Sequence, residues 1–102
     1  MTVAKSYEIK FPEYLDGYEA ETEAKGYLVG VAVIAGGQMF ELTVYDRIRL
    51  SQELDDELNS DRAFFAVSNL LVVASVTKAE ISIAVEALAK GNFQELVPSL
   101  AV

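Results

Sequence analysis

Histidine and cysteine are both missing from this chain, and basic residues number 8 against 16 acidic ones. The first absence removes the commonest general base near neutral pH and the second removes the thiol nucleophile. Together they remove the preferred protein ligands of transition metals. Without cysteine there is also no disulfide frame, which leaves the compartment open. The formal net charge of −8 repels phosphate backbones and anionic membrane surfaces. The basic residues are scattered apart from the small step Arg47-Ile48-Arg49, so neither nucleic acid nor membrane is an expected partner. Long apolar runs are missing too. Ala63 to Val76 is the longest apolar-rich stretch, but Ser68 and Asn69 interrupt it and it is too short to span a bilayer. Met1 to Lys10 is mixed and alternating, unlike the basic start and apolar block of ~7 to 15 residues that mark a secretory signal. The expectation is a soluble, cytoplasmic protein.

Of the 102 residues, 52% are apolar or aromatic, enough to bury one core, and a single domain over 1–102 is expected. Ser6 to Phe11 alternates, with Tyr7, Ile9 and Phe11 on one side and Glu8 and Lys10 on the other, as a half-buried strand would. Pro12 ends that strand or confines it to an edge. The acidic stretch Glu13 to Lys25 has a turn signal at Asp16-Gly17 and sets Glu19, Glu21 and Glu23 against Ala20, Thr22 and Ala24, which reads as an exposed strand or a loop. Tyr27 to Ala35 and Gln38 to Tyr45 flank Gly36-Gly37 and form a hairpin, because two glycines supply the positive φ angles of a two-residue turn. Counting outward from that turn, Val33 faces Phe40, Val31 faces Leu42 and Val29 faces Val44 on the core side. Ile34 faces Met39, Ala32 faces Glu41, Gly30 faces Thr43 and Leu28 faces Tyr45 on the other.

The second arm is expected to run on to Leu50, with Ser51 capping a short helix that carries Leu54 and Leu58 and a loop at Asn59, Ser60 and Asp61. Ala63 to Asn69 fits either a helical stripe or a strand, and Leu70 to Val73 reads as a strand buried on both faces. Thr77 and Glu80 make a Thr-x-x-Glu capping box, with Val76 and Ile81 as its hydrophobic staple. The helix they open buries Ile81, Ala84, Val85 and Leu88 and closes near Gly91; Asn92 begins a last turn through Phe93 and Leu96, stopped by Pro98. The order predicts an α+β fold: a small antiparallel sheet, a meander with a Gly-Gly hairpin, packed by a C-terminal amphipathic helix and a short helix.

Two acidic groups could attract a ligand: Glu19, Glu21 and Glu23, and the cluster Glu53, Asp55, Asp56, Glu57 and Asp61. A calcium loop beginning at Asp55 would place Ser60 where glycine is required and Ala66 where the bidentate glutamate belongs, so no metal site is expected. Solvated charge accounts for both groups; a docking surface is the functional alternative. Gly36-Gly37 lacks the flanking pattern of a phosphate loop, and neither Ser68 nor Ser75 lies in a nucleophile elbow. No catalytic residue and no cofactor are expected. Tyr7, Tyr14, Tyr18, Tyr27 and Tyr45 lie in the acidic half, either edging the core or anchoring an interface. Asn69 reads as a strand-end amide bonded to backbone.

From Tyr27 onward the order of features resembles one class of bacterial polymorphic-toxin immunity proteins, the type-eight family. The residues that carry the resemblance are the strand Phe40-Glu41-Leu42-Thr43-Val44, Leu50 with its acidic short helix, Asn69-Leu70-Leu71-Val72-Val73, the helix positions Ile81, Val85 and Leu88, and Phe93 to Leu100. Tyr45-Asp46 stands where members of that family carry Thr-Pro, and Phe93 stands near their tryptophan. The resemblance implies a non-catalytic protein that binds and blocks a cognate toxin.

The expected function is therefore a non-catalytic, acidic protein-binding domain with a basic protein partner, whose contact residues are Tyr14, Tyr18, Glu19, Glu21, Glu23, Asp55 and Asp56. A self-associating accessory domain, a homodimer or higher oligomer joined through the apolar strand Leu70 to Val76, is the alternative from another class. An enzyme or small-ligand binder using carboxylates with Arg47 or Arg49 ranks last, since no residue pattern marks an activated group.

Overall fold

The computed structural model describes residues 6–99. The ends of the expected domain, including Leu100 of the family resemblance, lie outside the described residues. In chain order the elements are β1 (Tyr7–Lys10), a 3-10 turn (Glu13–Leu15), α1 (Glu19–Lys25), β2 (Tyr27–Ala35), β3 (Gln38–Tyr45), α2 (Arg47–Leu58), β4 (Leu70–Val72) and α3 (Lys78–Lys90). The expected α+β class holds. The strands lie in the order β1-β2-β3-β4, with β1, β2 and β3 antiparallel and β4 parallel to β3. The sheet is thus mixed rather than wholly antiparallel, because the link from β3 to β4 passes through α2 and carries the chain back, so that β4 runs in the same direction as β3.

Glycine shapes the hairpin twice. Gly36 and Gly37 take φ angles of 58° and 77°, the paired left-handed conformation of a tight hairpin turn. Near the turn the expected register is present: Val33 pairs with Phe40, Val31 with Leu42, Ile34 with Met39 and Ala32 with Glu41. Beyond Val31 it shifts by one, so that Val29 pairs with Thr43, Leu28 with Val44 and Tyr27 with Tyr45. Gly30 is the extra residue, a β-bulge at φ 87° that an L side chain would strain. The bulge exchanges faces: Leu28 is buried in the core and Val29 is 39% exposed. Regular alternation had put Val29 inside, and one left-handed glycine overturns it.

The core fills the space between one sheet face and α3. Val31, Val33, Leu42 and Val44 from the sheet meet Ile81, Val85 and Ala89 from the helix. Thr77 starts α3 as its spacing predicts, with Oγ1 accepting from the Glu80 N–H at 3.2 Å; Val76 and Ile81 of the staple are both buried. Gly91 follows the helix, but the left-handed residues are the next two, Asn92 and Phe93 at φ 57° and 58°. They turn the chain back so that the Phe93 ring stacks on Phe40 at 5.6 Å and meets Tyr7 edge-on at 5.7 Å.

Two helices stand where the sequence reading differs. The strand β3 ends at Tyr45, and Asp46 rather than Ser51 caps α2, its Oδ1 accepting from the Arg49 N–H at 2.7 Å. The Asp46 N–H is itself tied to the Gly26 carbonyl at 2.9 Å, a tertiary bond that holds the cap at the end of α1. Residues 13–25 form a 3-10 turn and α1, not a strand. Ala, Glu and Lys are strong helix formers, and Gly26 closes α1 in the left-handed conformation with its N–H donating to Thr22 O.

The opposite sheet face carries Tyr27 and Tyr45, with ring centroids 4.9 Å apart. Arg49 of α2 lies over the Tyr27 ring, and Phe65 meets Tyr45 edge-on. That end of the face is covered. Elsewhere Val29, Leu70 and Val72 are exposed, so β4 is an edge strand and not the doubly buried strand expected. Ala63 to Asn69 is neither helix nor strand. Asn69, at φ 52°, is the backbone-bonded amide that its place in the apolar run suggested: its Nδ2 donates to Glu41 O and Val97 O, and its Oδ1 accepts from the Val97 N–H. Ser99 N–H donates to Met39 O at 2.7 Å, so the C-terminal segment lies beside the first part of β3, ahead of the place where β4 joins it at Thr43. Among the described residues no helix is long and apolar enough to cross a membrane.

Candidate functional site

A groove of about 330 Å³ opens between α1 and the start of α3. Buried Leu15, Leu28 and Val76 form its floor, and exposed Glu19, Ala20, Glu23 and Lys78 form its rim with Thr77. Each part has a local cause. The 3-10 turn drops Leu15 into the core, the Gly30 bulge turns Leu28 inward, and the α3 staple holds Val76. Glu19 and Glu23 are separated by one helical turn and therefore share a face of α1.

The charges at the rim are unequally engaged. Lys78 Nζ bonds Asp16 Oδ1 at 3.3 Å and lies over the Phe11 ring, which draws the cation toward one side of the groove. Glu19 Oε1 accepts from the Gly17 N–H at 3.0 Å, while Glu23 makes no ion pair among the described residues. The groove is apolar below and predominantly acidic above.

The seven residues singled out from the sequence do not all converge. Glu19 and Glu23 line the groove. Glu21 does not, because two residues along a helix is a rotation of about 200°. Tyr18 precedes α1 with its ring 59% exposed. Tyr14 is exposed as well, but its hydroxyl donates to Val29 O at 2.8 Å, satisfying a carbonyl beside the bulge. Asp55 and Asp56 are exposed on α2, beyond Arg49, whose Nη1 reaches Lys25 O at the end of α1. The two acidic groups therefore belong to different helices. Sequence reasoning missed Leu15, Leu28, Val76 and Lys78 as groove residues; the Thr77 cap and its staple marked the wall without showing what stood across from it.

Other chemistry on the molecule is already engaged. Arg49 donates from Nε and Nη2 to Glu53 Oε1 at 3.0 and 2.9 Å. A second hollow, about 310 Å³, surrounds Asn69 and Ser99, whose polar groups bond the neighbouring backbone. The Tyr45 hydroxyl has its pKa raised, first by burial and then by the nearby Glu53 carboxylate. Among the described residues no three carboxylates gather as a metal site would require.

No known family, characterised protein or solved structure matches the chain.

Proposed function

We propose that this protein is a non-catalytic protein-binding domain that presents the α1 groove to a basic protein. The observation that carries the reading is the pairing of a buried apolar floor with two carboxylates one helical turn apart at the mouth. Lysine and arginine have that same division, an aliphatic stem beneath a cationic head. The stem of such a side chain would cover Leu15, Leu28 and Val76, and its head would bond Glu19 and Glu23. Glu21, Asp55 and Asp56 would contribute through the field of the acidic surface, which speeds approach and weakens as salt rises. Tyr14 and Tyr18 would supply exposed rings beside the contact. The resemblance to immunity proteins gives the specific form of this reading, in which the partner is a toxin and binding blocks it.

The test uses a lysine-rich peptide as the basic probe, with association followed at several salt concentrations. Glu19→Gln with Glu23→Gln should lower affinity by tenfold or more, about 1.4 kcal/mol or greater, while the unfolding midpoint stays nearly constant. Asp55→Asn with Asp56→Asn should slow association at low salt and leave the dissociation rate unchanged. Wild-type affinity in the Glu19/Glu23 variant, or salt-independent binding that survives neutralisation of all five acids, would overturn the proposal.

A further inference from the structure

The two edges of the sheet are built differently. Edge strands expose unpaired backbone groups, and proteins usually guard them with charge, proline or a bulge. β1 is guarded in this way: Glu8 and Lys10 are exposed along it, and Pro12 follows. β4 carries none of these three and is guarded only by its brevity of three residues. From Ala63 to Thr77 no residue is charged.

Both the backbone and the side chains of β4 are open. Thr43 N–H donates to Asn69 O, and Val73 N–H donates to Tyr45 O, so the odd-numbered residues face β3. By strand alternation the N–H and C=O groups of Leu70 and Val72 face away from the sheet. The side chains of these two residues are 37% and 42% exposed, and Leu71 between them is half-buried.

We propose that β4 is the seam of a two-fold symmetric homodimer, pairing antiparallel with β4 of a second copy. Charge is what selects that occupant. Two molecules of net charge −8 repel wherever acidic surfaces meet, and an uncharged edge lets them approach without opposing acids. The strand is also self-complementary. With the two-fold axis beside Leu71, Leu70 lies opposite Val72 of the second copy and exchanges both backbone hydrogen bonds with it. The symmetric pair does the same, and the two Leu71 residues form the close, non-hydrogen-bonded pair, with Cα atoms about 4.5 Å apart. The two sheets become one continuous sheet, and Leu70, Leu71 and Val72 each gain an apolar neighbour. A seam this short gives a weak dimer whose population rises with concentration. It lies on a different part of the molecule from the α1 groove, and its test does not depend on any partner.

Because the chain is free of cysteine, Leu71→Cys introduces a single thiol at the axis, at a Cα separation a disulfide can span. Mild oxidation should convert that variant to a covalent dimer, while Ile83→Cys, exposed on α3, should react far more slowly. Light scattering of the wild type should give a dimer mass at high micromolar concentration, and Val72→Lys should give a monomer with an unchanged unfolding midpoint. A wild-type monomer at that concentration, a dimer that survives Val72→Lys, or equal crosslinking of the two cysteine variants would overturn the proposal; the cysteine pair decides the matter if the lysine variant does not fold.

Discussion

Tyr45 is 4% exposed on the sheet face that α2 covers, where burial foremost and Glu53 next hold its hydroxyl in the neutral form. Its folded pKa is raised above the unfolded value. Stability owed to this group is therefore complete below the range where an unfolded tyrosine ionises, and is lost as pH rises from there through the folded value. Denaturation followed at increasing alkaline pH should show that decline, and Tyr45→Phe should flatten it while leaving neutral-pH stability little changed. An equally steep decline in the variant would show that another group controls it. Single residues also decide how far the sequence could be read. Asn69 was legible because an amide in an apolar run needs backbone partners, and it has three. Gly30 was not legible, since a glycine amid valines fits regular strand as well as a bulge until its φ is known. The cap of α2 was read at Ser51, and the bond from the Asp46 N–H to the Gly26 carbonyl, which joins residues distant in sequence, is what local pattern could not report.

Elements were legible in proportion to the independent local signals that agreed on them. The start of α3 had two, a capping box and a staple; the staple and the Thr77 half of the box are present, while the Thr77 N–H that Glu80 was expected to bond goes to Ser75 O instead. Thr77→Ala should cost ~1 kcal/mol through loss of the bond to the Glu80 N–H, read as a lower denaturation midpoint at unchanged slope; an unchanged midpoint would mean that the Thr77 N–H bond to Ser75 O suffices to hold the helix start. The seven residues of α1 offered less. It buries a single side chain, Thr22, so no apolar stripe revealed it, and its alternating glutamates imitated the two-residue period of a strand. The candidate site suffered from the same ambiguity. On a strand Glu19, Glu21 and Glu23 would form one acidic row, whereas on a helix only Glu19 and Glu23 face the groove. The groove itself was hidden, because its floor joins three segments far apart in sequence and no local pattern reports which segments meet.

Across the whole molecule, the strand connections differ greatly in reach. The β2–β3 turn is closed by two residues, but β4 reaches its place beside β3 only after Asp46 to Asn69 have been ordered. Closing a longer segment costs more entropy before any contact compensates, so the three-stranded meander should assemble early and β4 should dock late. In stopped-flow experiments Val33→Ala, in the hairpin core, should chiefly slow refolding, while Leu71→Ala should chiefly speed unfolding. The opposite partition would place the parallel pairing in the folding nucleus. The uncharged edge would then be the last part of the sheet to be laid down. A chain still emerging from the ribosome would have no finished β4 to offer its neighbours, and crowded nascent copies would be spared premature pairing through the strand that carries no charge to prevent it.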